Sequence, residues 1–291
     1  MRLGGSISLT EDSHEREYSA IRNRAPMPLF LKHQLDGLYS RYHSRSWVHP
    51  DPLEFLYNYP HARDREIVAL IASSLAYGRV AQILKSVSLV LEKMGVSPFL
   101  FVQTTSPEHI SNLFRDFRHR FTSGQDLSEL LIAVKIVLEK YGSLHSCFLS
   151  TYDSSHETIL PALTFLTNEI RSNMAHRRNS LLPMPARGSA CKKLNLFMRW
   201  MVRKDRVDPG GWPGVDASKL IIPLDTHMHR ISLLLDLTKR KQANMKTAME
   251  ITRSFRRFAP EDPVRYDFAL TRLGIRQEKS IHSFLERCGE I

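Results

Sequence analysis

The chain has 291 residues, 42% apolar and 24% charged, the composition of a globular protein long enough to bury a sizeable core. Its 41 Lys and Arg outweigh 30 Asp and Glu, a formal net charge of +11, which favours a polyanionic partner, nucleic acid ahead of an anionic membrane surface. Three widely spaced cysteines, Cys147, Cys191 and Cys288, exclude a disulfide framework and a CxxC-type zinc or iron–sulfur site, and fit a reducing cytoplasm.

Residues 1–26 lack a sustained period and carry Glu11, Asp12 and Glu15, so they read as a flexible tail and not as a secretory signal. No apolar run reaches the roughly 18 residues of a membrane span. From Pro28 the periodicity is helical almost throughout, with apolar residues three and four apart near 29–41, 64–77, 80–94, 127–141, 158–171, 190–202, 226–237, 245–258 and 264–273. Breaks fall at Pro50 and Pro52, Gly95 with Pro98, Pro107, Ser123-Gly124, Pro183 to Gly188, Gly210-Gly211, and Pro260 with Pro263. Strand-like alternation is nearly absent, so the expected fold is all-α, a single domain over 27–291. One long irregular stretch, Lys204 to Leu220, separates the two helices of chemical interest, and loops of such length are often functional.

The first of those helices follows Ser189, a reasonable N-cap. Residues about 100° apart put Ala190, Leu194, Phe197, Met198 and Met201 on one stripe, with Lys192, Asn195, Arg199 and Arg203 opposite. Lys192 then points to solvent, and Lys193 falls beside Phe197 and Trp200 at the margin of the buried face. Partial burial, the charge of Lys192 and the helix dipole would all lower the pKa of Lys193, and a neutral amine is what a nucleophilic lysine supplies. Helix position alone favours a lysine that lays its stem over the core and keeps its charge in water. The second helix opens at Pro223-Leu-Asp225-Thr-His227-Met-His229-Arg230. Asp225 there is an N-cap or first-turn residue; amides aimed at it would hold it ionised, which suits a group facing a developing positive charge.

The run Ile222-Pro-Leu-Asp225-Thr-His-Met-His-Arg230 closely resembles the aspartate-bearing segment of helix-hairpin-helix DNA glycosylases. Lys193 with Asp225, 32 residues apart across a long insertion, is most similar to the archaeal 8-oxoguanine glycosylase branch. The span from Arg187 to Ile275, with Asp262-Pro-Val-Arg-Tyr266-Asp267-Phe-Ala-Leu270, resembles a bacterial family of unassigned function related to that branch, domain-of-unknown-function 2400-like. Asp64 to Leu84, with Ala72-Ser-Ser-Leu-Ala-Tyr77-Gly78-Arg79, resembles the early helix and turn by which these enzymes approach a lesion. The glycine-rich turn before the family's lysine reads here Pro185-Ala-Arg187-Gly188-Ser189-Ala-Cys191, with one glycine.

The resemblance implies a two-lobed helical bundle of the helix-hairpin-helix glycosylase type, acting as a monomer on double-stranded DNA with damaged bases. Lys193 would attack C1′ and form a Schiff base, giving glycosylase and AP lyase activity toward an oxidised base such as 8-oxoguanine, and Asp225 would assist. Tyr77, Arg79, Phe197, Trp200, Trp212 and Phe268 are the expected pocket residues. Arg187, Gly188, Ser189, Lys192, Arg199, Arg203 and Arg230 are expected on the DNA backbone, with Lys204, Arg206 and Lys239-Arg240-Lys241 adding charge. No cofactor and no metal are expected, and the protein would be cytoplasmic, nucleoid-associated if it acts on DNA. Two further readings use the same residues. One is a non-catalytic DNA-binding protein of this fold, and the other a tyrosine recombinase, from His227-Met-His229-Arg230 with Tyr266. A metal site on His227 and His229 is disfavoured, because helix positions two apart diverge by about 200°.

Overall fold

A computed structural model describes residues 28–175, 179–276 and 284; the expected tail at 1–26 lies outside the described residues. Helix dominates, as the periodicity predicts: α1 (Pro28–Tyr42), α2 (Ala62–Ser74), α3 (Val80–Met94), α4 (Pro98–Thr104), α5 (Pro107–Leu113), α6 (Gly124–Tyr141), α7 (Leu144–Leu149), α8 (Leu160–Ser172), α9 (Lys192–Val202), α10 (Thr226–Leu234), α11 (Met245–Arg256) and α12 (Asp267–Arg276). Strand among the described residues is one hairpin, β1 (Arg118–His119) antiparallel to β2 (Thr122–Ser123). No helix among them is long and apolar enough to cross a membrane.

Three helices escape the periodicity because they are a turn or two long. Capping marks them instead: Ser97, Ser106 and Ser143 accept backbone N–H groups at the starts of α4, α5 and α7, and proline opens the first two. The longest helix, α6, has a full capping box between Ser123 and Asp126 and ends on Gly142 at φ +80°.

The core centres on α2, which packs against α9. Every residue of α2 from Glu66 to Ser74 is buried, so it runs through the middle of the molecule. Glu66 is the exception in chemistry. Its carboxylate accepts from the amides of Leu144 at 3.0 Å and His145 at 3.2 Å, at the start of α7, and from Trp212 Nε1 at 3.1 Å. Burial nevertheless pushes Glu66 up to about 7, against those three donors.

Helix α9 is buried on both faces, which corrects the expectation of a solvent-facing basic stripe. Asn195, Arg199 and Arg203 are 1%, 3% and 3% exposed. The cause is the stretch 204–220, which folds back over that polar face. Gly210 N–H donates to Trp200 O at 3.1 Å and Trp212 N–H to Met201 O at 2.9 Å, meeting carbonyls a helix end leaves unpaired. Asp208, fully buried, accepts from both Arg199 and Arg203; Arg199 also pairs with Asp267, and Arg203 with Asp205 at 2.7 Å and Asp262 at 3.0 Å. The long loop is therefore a structural clasp.

Trp212 and Phe197, expected in a substrate pocket, are core residues. Their rings meet edge to face at 5.1 Å, and Trp212 also lies against Phe148 and His145. The apolar stripe of α9 requires this, since a side chain that fills the interior cannot also face a ligand.

Candidate functional site

Two helix starts converge. Asp225 caps α10, accepting from the Met228 amide at 2.8 Å, and its other oxygen lies 3.1 Å from Lys192 Nζ, on the first residue of α9. Burial pushes the Asp225 carboxyl up, but the charge of Lys192 and the Met228 amide outweigh it and hold the group below the usual aspartate range. The carboxylate is an anion at neutral pH.

The expected partner of Asp225 was Lys193, and here the structure differs. Helix α9 starts two residues later than a Ser189 cap implies, because Cys191, at φ +48°, is the N-cap. Lys193 lies toward the apolar margin, as the wheel predicts, but its ammonium finds partners other than Asp225. Its ammonium donates to Ser180 O at 2.9 Å and sits 4.1 Å from the centre of the Tyr77 ring. Lys192, the residue assigned to solvent, takes the carboxylate.

Burial first, and the charge of Lys192 second, lower Lys193 to about 8 from the 10.5 of an unperturbed lysine. Below pH 8 folding therefore carries a proton into an unfavourable place. Lys193→Met should raise stability at pH 7 by about 1 kcal/mol, after discounting for partial exposure and the lost ring contact. That gain should fade between pH 8 and 10.5, where the unfolded wild type binds the proton that the folded one lacks. Thermal unfolding at pH 7 and pH 10 checks this, and an equal difference at both would refute the buried-amine account.

Lys192 and Asp225 open onto a cavity of about 330 Å³, at the small end of ligand pockets, which run from roughly 300 to 1,000 Å³. Its walls come from Pro50 to Pro52, the Ala76–Gly78 loop, the start of α3, α9, the start of α10, and α12. Of the expected pocket residues, Tyr77, Trp200 and Phe268 line it. Arg79 does not; it is exposed at the N-cap of α3. Trp200 is 1% exposed and its indole N–H has no hydrogen-bond partner.

Of the expected backbone-binding residues, Arg187, Gly188 and Ser189 are exposed on the turn that leads into α9, and Arg230 is exposed on α10. Lys192 and Arg199 line the cavity instead, and Arg203 is sealed in the acidic cluster. The turn is anchored to α11: Ser189 bridges Asn244, and the Met245 amide donates to Gly188 O at 3.0 Å. His227 reaches the cavity while His229 donates to Arg240 O at 2.8 Å, so the two histidines diverge.

Asp267 also lines the cavity, a place that its run in the sequence did not assign to it. Burial pushes its carboxyl up against the pull of Arg199. Asp51, which pairs with Arg272 on the same wall, was missed likewise. Both acids stand at helix starts, and it is the partners Arg199 and Arg272, distant in sequence, that mark them.

The family described as "Protein of unknown function (DUF2400)" matches residues 51–276. No curated protein and no solved structure matches the chain.

Proposed function

From a chain that belongs to the DUF2400 family, we propose a DNA N-glycosylase with AP lyase activity, built on a helix-hairpin-helix glycosylase fold and acting on oxidised bases such as 8-oxoguanine. The observation that carries this reading is the Lys192–Asp225 pair, 3.1 Å apart at the rim of an aromatic-lined cavity. It is the pairing needed for covalent chemistry at a sugar carbon. Lys192 replaces Lys193 as the nucleophile in this reading, since it alone of the two meets the carboxylate and lines the cavity.

A target nucleotide must first leave the duplex, which takes a few kcal/mol of unstacking. Stacking surface at Tyr77, the partly exposed ring of the cavity wall, offsets that. As the bond between C1′ and the base nitrogen breaks, its electron pair leaves with the base, and the sugar becomes cationic. Asp225 stabilises that charge. The Lys192 amine gives its electron pair to C1′ and loses its proton, with Asp225 the nearest acceptor. Opening of the C1′–O4′ bond then yields a protonated Schiff base. Loss of a 2′ proton expels the 3′ phosphate, and water hydrolyses the imine to free the amine. The exposed arginines and lysines around the site hold phosphates, a contribution that falls steeply with added salt.

The test is borohydride trapping on duplexes that carry an abasic site or 8-oxoguanine. Reduction should leave a covalent protein–DNA adduct. Salt-sensitive binding with neither adduct nor cleavage on any lesion would instead favour the non-catalytic DNA-binding protein.

A further inference from the structure

The hairpin beside the cavity ends in a two-residue turn, Arg120 and Phe121. Phe121 is 84% exposed. Its surroundings, in contrast, are fastened. His119 is fully buried, with Nδ1 2.9 Å from Ser86 Oγ and Nε2 3.1 Å from Tyr77 O. The Tyr77 hydroxyl donates to His119 O at 2.9 Å and lies 2.6 Å from Thr122 Oγ1. Arg120 lies so close over Gly78 that a Cβ there would come within 2.7 Å of its Cδ. The tip is thereby pinned to Tyr77 and Gly78, which line the cavity.

Folding does not account for this turn. Arg120 has φ +53°, a conformation that two-residue hairpins usually assign to glycine, asparagine or aspartate. Strain of this kind persists where surrounding structure enforces it, commonly near functional sites. A phenylalanine held out in water gains nothing from the core. The segment is also cationic: Arg115, Arg118 and Arg120 stand against Asp116 alone, and Arg118 and Arg120 are exposed. An apolar blade between arginines suits a partner with stacked rings inside and phosphates outside.

We infer that Phe121 is a wedge that enters the base stack of duplex DNA where a nucleotide has been drawn into the adjacent cavity. This rests on the proposed action on duplex DNA. Extrusion leaves a gap in the stack, and an inserted aromatic ring restores part of the stacking lost. Arg118 and Arg120 would hold the phosphates on either side, and the rigid attachment to Tyr77 fixes the wedge relative to the Lys192–Asp225 pair.

The test compares the full-length wild type with Phe121→Ala and Phe121→Trp on intact duplex, duplex with a tetrahydrofuran abasic analogue, and single strands with an abasic site. Because the side chain is exposed, the variants should fold. Phe121→Ala should lose roughly tenfold in preference for the abasic analogue over intact duplex, and Phe121→Trp should keep the preference. Binding to intact duplex, held by phosphates, should stay within about twofold. Trapping on the single strand, which has no gap to fill, should be unchanged. If wild type forms adducts on abasic duplex and Phe121→Ala does so equally, with the preference intact, the wedge is refuted while the glycosylase reading stands. If wild type binds no duplex, both fall. A change in self-association alone would make Phe121 a protein contact and overturn the inference.

Discussion

Asp208→Ala should cost about 3–5 kcal/mol of stability, because it strips the shared anion from two buried arginines. Asp208 is fully buried and accepts from Arg199 at 3.1 and 3.2 Å while also pairing with Arg203. Without it Arg199 keeps Asp267, and Arg203 keeps Asp205 and Asp262. The charge that remains is not simply rehydrated, since both arginines are 3% exposed. Asp208→Asn should lose less, because one oxygen can still accept. Urea unfolding measures both, and a loss under about 1 kcal/mol for the alanine variant would show that water re-enters and that the cluster is not a clasp. The same cluster has an acid limit. Burial opposes the ionisation of Asp205, but Arg203, His43 and two backbone amides hold its carboxyl well below the usual range. A group depressed in the folded state stabilises above its unfolded pKa and loses that contribution as pH falls, so the clasp weakens on acidification below about 4.

Helices were legible in the sequence where the period had room to repeat. The stretch predicted at 80–94 is α3, with the same bounds, and 226–237 is α10, which stops at Leu234 where a left-handed Asp236 closes it. A wheel gives angles around one helix and nothing about what covers its far side. That is why Arg199 and Arg203 read as a solvent face: their cover, Asp208, sits in a Gly- and Pro-rich stretch with no period of its own. Glu66 drew no reading for the same reason, since its three donors lie 78, 79 and 146 residues away. The site divides along this line. Asp225 was visible as a cap in a recognisable segment, and Tyr77, Trp200 and Phe268 are those of the expected pocket aromatics that line the cavity. The choice between adjacent lysines turned on which side of α9 meets the start of α10, and a wheel of one helix holds nothing about that. Phe121 carries no sequence signal at all, because only the fold decides that a hairpin phenylalanine stays in water.

Lys192→Gln should abolish borohydride trapping, a loss of roughly 10³-fold or more in adduct formation, because its amine is the one that meets Asp225. Lys193→Gln should lower the rate by less than about tenfold, since its amine is turned to Ser180 O and the Tyr77 ring and can act only through its charge. Asp225→Asn separates two roles of one residue. Asparagine caps a helix as well as aspartate does, so the Met228 amide keeps an acceptor and the fold should hold. The negative charge beside C1′ disappears, and adduct formation should fall roughly 10²- to 10³-fold. Binding to intact duplex should change little in Asp225→Asn, or rise slightly as an anion near the phosphates is removed. The reverse result for the lysines, adducts surviving Lys192→Gln and vanishing with Lys193→Gln, would mean that the side chains exchange places when DNA binds. The ion pair at 3.1 Å would then be a resting contact, and the buried amine near 8 the nucleophile.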